Sequence, residues 1–162
     1  KRSDATLTII GPDGGLEEAL RTDIERRGLE HAVTLTGPLS RSSITTLATQ
    51  ASFYIQTSRY EGMAISVMEA MQAGLIPVVT PVGEISRYTR DGENAVWIAP
   101  EGVDTQATAR IEALLDAPDI WRMMRAEATR SLDDRPLYAE DVMTAAAATL
   151  DAYLIAQPKT NI

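Results

Sequence analysis

Five short apolar segments, punctuated by glycine, proline and aspartate and separated by helix-length amphipathic runs, constrain this chain more than any other feature. Residues 5–11, "ATLTIIG", alternate Thr with Leu and Ile and end in a Pro-Asp-Gly-Gly turn, which predicts a strand followed by a breaker. "GLEEALRTDIERRGLE" then puts Leu16, Leu20 and Ile24 on one helical face, and Gly28 closes it. "AVTLTG", residues 32–37, repeats the strand pattern, and Ser40 stands as N-cap of the run behind it. "SFYIQ", "LIPVVT" and "AVWIA" supply three more strands, and "ISVMEAMQAG" supplies a helix that stops at Gly74. Strands alternating with helices predict an α/β fold with a doubly wound parallel sheet of about five strands, covered on both faces. Beyond Pro100 the strands stop. Residues 102–116 and 119–131 read as two helices, and a last alanine-rich helix is expected within 134–156, before a tail at 157–162.

Several function classes are excluded before any motif is considered. A chain of 162 residues suits one domain with one core, burying roughly two-thirds of its unfolded surface. No apolar run approaches the ~20 residues that span a bilayer, and "KRSDATLTII" is too short in apolar residues for a signal peptide, so a soluble intracellular protein is expected. The absence of cysteine removes thiol nucleophiles, disulfides and Cys-based zinc sites. A net charge of -8 argues against a nucleic-acid partner. The only lysines are Lys1 and Lys159, which rules out a Walker loop, and no G-x-G-x-x-G is present. His31 is the sole histidine and reads as exposed and structural; Trp97 and Trp121 read as packing residues.

The stretch "SRYEGMAISVMEAMQAGLIPVV" carries Glu61 and Glu69 eight positions apart. Spacing alone is uninformative, because Glu17 and Glu25, and Glu93 and Glu101, share it. Context separates the third pair: a strand, a glycine loop, then a helix whose first N-H groups lack partners and whose dipole is positive at that end. Such an end attracts phosphate, and open parallel sheets bind ligands beyond the carboxyl ends of their strands. A carboxylate further along the helix suits the adjacent hydroxyls of a ribose. "AGLIPVV" has an equally good structural explanation, a helix stop entering a buried strand.

The ordered set "LTIIGPDGG", "VTLTGPLS", "RYEGMAISVMEAMQAGLIPVVTPVGEI", "RDGENAVWIAP" and "LLDAPDIWRMM" resembles the C-terminal, donor-binding domain of glycosyltransferase family 4 enzymes, retaining transferases of the GT-B fold. The family's E-G-F-G, with a second Glu eight residues after the first and A-G-x-P-V-V behind, stands here as Glu61, Gly62, Met63, Ala64, Glu69, then Ala73, Gly74, Pro77, Val78 and Val79. The resemblance implies Glu61 as the catalytic position, binding hydroxyls of the donor sugar, and Glu69 as ligand of the ribose. It implies backbone contacts from Gly62, Met63, Ala64, Ile65 and Ser66 to sugar and diphosphate, and a base-bordering loop at Gly37, Pro38 and Leu39. No metal and no cofactor are expected, the substrate being a nucleoside diphosphate sugar. The implied organisation is a Rossmann-like nucleotide-sugar-binding domain over residues 1–133, completed by the 134–156 helix.

Departures from the family pattern are equally specific. Ala64 replaces the second Gly, which is tolerable with a negative φ and crowded with a positive one. Thr57 replaces a usual Pro, Ser52 a common Asp, and Glu84 the second Gly of V-G-G. The strand and helix that open the family's domain, with an Arg and a Lys for the diphosphate, are expected before Leu7, as is an acceptor-binding N-terminal domain. The expectation is therefore one piece of a longer cytoplasmic or peripheral inner-membrane hexosyltransferase of carbohydrate biosynthesis, inactive alone and able to self-associate through an open sheet edge. Two other readings stay open: a GT-B nucleotide-sugar epimerase and a non-catalytic binding module.

Overall fold

A computed structural model of the chain describes residues 5–99 and 105–132. The expected 134–156 helix and residues 102–104 of the preceding one lie outside them. The chain divides into two compact units, 1–51 and 52–162.

In the first unit, strand β1 (Leu7–Ile9) pairs in parallel with β2 (Val33–Leu35), Thr8 opposite Thr34. Helices α1 (Glu17–Arg27) and α2 (Arg41–Gln50) follow them. Asp13 Oδ1 accepts from the N-H groups of Gly15, Leu16 and Glu17, filling donors that a helix start leaves open. These bonds, that from Glu17 foremost, hold the Asp13 carboxyl below its ordinary value of 3.8. Ser40 caps α2 as expected, its hydroxyl accepting from Ser43 N at 3.1 Å. Gly28 closes α1 with φ 64°. The apolar stripe of α1 is not buried, however: Leu16 is 68% and Leu20 41% exposed. Among the described residues of this unit none is fully buried, because a two-stranded ladder with short helices has too little surface to enclose one. His31 is exposed.

The second unit holds strand β3 (Phe53–Gln56), α3 (Ile65–Gln72), β4 (Ile76–Val79), α4 (Ile85–Tyr88), β5 (Val96–Trp97), α5 (Thr105–Asp116) and α6 (Pro118–Arg130). The strands form a parallel sheet with β4 in the centre, Gln56 opposite Val79 and Val79 opposite Trp97. All four β4 residues are buried. Side chains alternate along a strand, so Ile76 and Val78 join one apolar cluster with Val96, Leu114 and Met124, whereas Val79 joins another with Val67, Met71, Ile85 and Tyr88. The single expected core is thus two clusters, one on each face of the sheet. Trp97 packs on one and Trp121 on the other, as their sequence settings suggest.

Pro77 sits in this central strand without breaking it. Ile76 N donates to Ser52 O on the β3 side, so residue 77 faces β5, whose pairing starts only at Val78. The loop before β5 is tied by Asn94, wholly buried: its Oδ1 accepts from Arg90 N at 2.6 Å, and its Nδ2 donates to Tyr88 O and Ser131 Oγ. Arg90 also reaches Glu127 on α6 at 3.0 Å, and Arg110 on α5 reaches Asp91 at 2.5 Å.

Candidate functional site

The carboxyl end of β3 runs through Thr57, Ser58, Arg59 and Tyr60 into the loop Glu61–Ala64, and α3 begins at Ile65. Ala64 has φ 52° and ψ 59°, the sole non-glycine left-handed residue among those described. The sequence left the sign of this angle open; it is the crowded one. The conformation turns the chain sharply enough that α3 starts with its N-H groups free. Those of Met63, Ala64, Ile65 and Ser66 find no protein acceptor among the described residues, and Val67, donating to Ala64 O at 2.9 Å, is the first to pair. Four adjacent donors at a positive dipole end suit an anion. Substituting Ala64→Gly should relieve the left-handed strain and raise the unfolding free energy by about 1 kcal/mol, read from urea denaturation. An unchanged or lowered midpoint would refute that strain.

The strained turn is clamped by parts of the chain well beyond it. Tyr88 Oη donates to Met63 O at 2.8 Å and to Ala64 O at 3.2 Å. Glu84 N donates to Gly62 O at 3.0 Å. Thr80 Oγ1 donates to Ser58 O at 2.5 Å. Gly83, with φ 57°, lies so close that a Cβ there would stand 2.1 Å from Glu61 O. Glu84, where the family has a second glycine, takes an ordinary φ of -76° as N-cap of α4, so the departure costs the backbone nothing.

Glu61 is half-buried and its Oε1 accepts twice, from Gln56 Nε2 at 2.5 Å and Ser58 Oγ at 2.7 Å. Gln56 Oε1 in turn accepts from Ser66 Oγ and Tyr54 Oη, both at 3.1 Å. Glu61 and Ser66, which the sequence pairs only through the family pattern, are therefore joined through one amide. Glu69 is exposed on α3, one turn beyond Ile65. Gly37, Pro38 and Leu39 belong to the first unit, where Gly37 has φ 66° and its carbonyl accepts from Gly11 N at 3.1 Å. Gln56, Gly83 and Tyr88 went unnoticed in the sequence. A glutamine at a strand end reads as a solvated terminus, and the other two act from more than twenty positions away.

Among known proteins, a GDP-mannose:cellobiosyl-diphosphopolyprenol alpha-mannosyltransferase of Xanthomonas campestris is 34% identical over 109 residues, 67% of this chain and 28% of that protein. An alpha-D-kanosaminyltransferase of Streptomyces kanamyceticus is 29% identical over 74% of this chain and 31% of its own length. The chain thus spans less than a third of either relative. Among solved structures, a sucrose-phosphate synthase from Thermosynechococcus elongatus superposes with a TM-score of 0.78 at 16% identity, covering 93% of this chain and 39% of the other. HepE from Anabaena in complex with UDP-glucose gives 0.78 at 19% identity, covering 93% and 42%. These likenesses show the fold, the Rossmann-like α/β architecture of GT-B glycosyltransferases. The family description "Glycosyl transferases group 1" matches residues 1–131, and the chain belongs to that family.

Proposed function

We propose that this chain binds a nucleoside diphosphate sugar and is the C-terminal, donor-binding part of a retaining family 4 glycosyltransferase that moves a hexose onto a sugar, lipid or polyol. The observation that carries the reading is the run of four unpaired N-H groups, Met63 to Ser66, between a half-buried Glu61 and an exposed Glu69. In this reading the diphosphate lies on those donors, Glu61 accepts from hydroxyls of the sugar, and Glu69 accepts from the ribose. Transfer needs negative charge on the departing diphosphate to be stabilised, and pre-aimed N-H groups at a helix start supply that without reorganising. No metal is invoked for that step. Gly37, Pro38 and Leu39 hold a base-bordering role only through the family resemblance. The names of the relatives and the UDP-glucose complex of HepE support a nucleotide sugar as the ligand class.

Calorimetric titration of this chain with UDP-glucose, GDP-mannose and ADP-glucose, each beside its free nucleoside diphosphate, tests the reading. Glu69→Ala should weaken the sugar-bearing and free nucleotides alike by about tenfold or more, the worth of a hydrogen bond to a charged group. Glu61→Ala should weaken only the sugar-bearing form. Binding of none of the six compounds, by this chain and by the full-length protein alike, refutes the proposal and favours a non-catalytic module.

A further inference from the structure

We infer that Gln56 is a positioning residue for Glu61, and that it leaves a single carboxylate oxygen, Oε2, to receive the donor sugar. The inference rests on the nucleotide-sugar reading above. Gln56 is the last residue of β3; its backbone carbonyl accepts from Thr80 N at 3.2 Å, so its Cα is fixed by the sheet. Its side-chain amide uses both ends. Nε2 donates to Glu61 Oε1 at 2.5 Å and to Ser58 Oγ at 3.3 Å, and Oε1 accepts from Ser66 Oγ and Tyr54 Oη. An ionised carboxylate only accepts, so the NH2 end must face Glu61, and the amide has one orientation.

Two consequences follow. Glu61 Oε1 already takes two donors, whereas Oε2 accepts nothing among the described residues. The carboxylate therefore offers one oxygen in one rotamer, a preorganised acceptor for a sugar hydroxyl. Ser66, in the first turn of α3, spends its proton on Gln56, so an anion on that turn meets its N-H and not its hydroxyl. Gln56 thereby fixes the sugar end of the site relative to the diphosphate end.

The expected signature is sugar-selective. In Gln56→Leu the affinity for UDP or GDP should stay within twofold of the parent, while that for UDP-glucose or GDP-mannose falls about tenfold. Tyr54→Phe, which removes a bond from the far end of the amide and leaves Glu61 untouched, should give a smaller fall of the same kind and guards against a Leu variant that folds poorly. A ligand-free readout stands beside these: the Gln56 side-chain NH2 signals in 15N NMR should be shifted and slow to exchange in the parent, and should collapse toward free-amide values in Glu61→Ala. A parent that binds no nucleotide, as this chain and as the full-length protein alike, overturns the functional reading and this inference with it. A parent that discriminates sugar-bearing from free nucleotide, with Gln56→Leu discriminating equally or losing both alike, overturns the positioning role alone. Free-amide signals in the parent also overturn it.

Discussion

Gly83→Ala should lower the unfolding free energy by about 3 kcal/mol or more and abolish the nucleotide-sugar binding proposed above. Two independent costs add at this position. An L-residue at φ 57° pays about 1–2 kcal/mol for its left-handed backbone. The new Cβ would then stand 2.1 Å from Glu61 O and 2.7 Å from Gly62 O, both backbone atoms of the clamped loop, and overpacking of this kind costs a further ~1–3 kcal/mol. Relief requires the Glu61–Ala64 loop to move, and that would carry the Glu61 carboxylate and the free N-H groups with it. Gly74 supplies the internal control. It too is left-handed, at φ 78°, but the atoms nearest its Cβ would be those of the Arg125 guanidinium, from 2.9 Å, and that side chain can swing away. Gly74→Ala should therefore cost only the backbone strain and leave binding intact. Urea denaturation and titration of both variants decide the matter; a Gly83→Ala chain as stable as Gly74→Ala would show that the close approach of the two loops does not exist in solution.

Asn94→Ala should destabilise by about 2–4 kcal/mol. Nothing solvates this side chain, and it completes three bonds: to Arg90 N, to Tyr88 O and to Ser131 Oγ. Truncation removes three bonds at once, the one to Tyr88 O buried and the other two half-buried, and leaves a cavity where a wholly buried side chain stood. The damage should also spread toward the site, because Tyr88, whose carbonyl Asn94 holds, is the residue whose hydroxyl grips Met63 O and Ala64 O. Asn94→Asp retains the acceptor but loses both donor bonds and buries a charge, so it should rescue nothing. Denaturation midpoints of the two variants within 0.5 kcal/mol (roughly the scatter of an ordinary surface substitution) of the parent would contradict this account.

What could be read in the sequence was whatever is local. Alternation marked β1, four-residue spacing marked α1, the stop at Gly74 marked the end of α3, a β-branched run marked β4, and Ser40 announced its own cap. The glycine loop flanked by Glu61 and Glu69 was recognisable because its residues are contiguous. What escaped was the machinery that acts at a distance. Tyr88 and Gly83 reach back to a loop some twenty residues earlier, and no periodicity records a hydrogen bond to a carbonyl. Helix α4, "ISRY", is a single turn and too short for any helical pattern. Ala64 could not disclose its left-handed backbone, since that region is ordinarily signalled by Gly, Asn or Asp and not by alanine. The stripe Leu16, Leu20, Ile24 was recognisable as a stripe, yet burial depends on what lies opposite it, which a local pattern does not contain.

The clamps on the Glu61 loop grip carbonyl oxygens: Ser58 O, Gly62 O, Met63 O and Ala64 O. Every residue type has that atom. The side chains the loop's shape depends on are thus those of Thr80 and Tyr88, with only a backbone N-H needed at position 84, while position 63 carries no such demand and position 64 is limited by its left-handed backbone. Met63 in place of Phe leaves these grips intact, Ala64 in place of Gly keeps them at the cost of backbone strain, and loss of the Tyr88 hydroxyl would remove two of them at once.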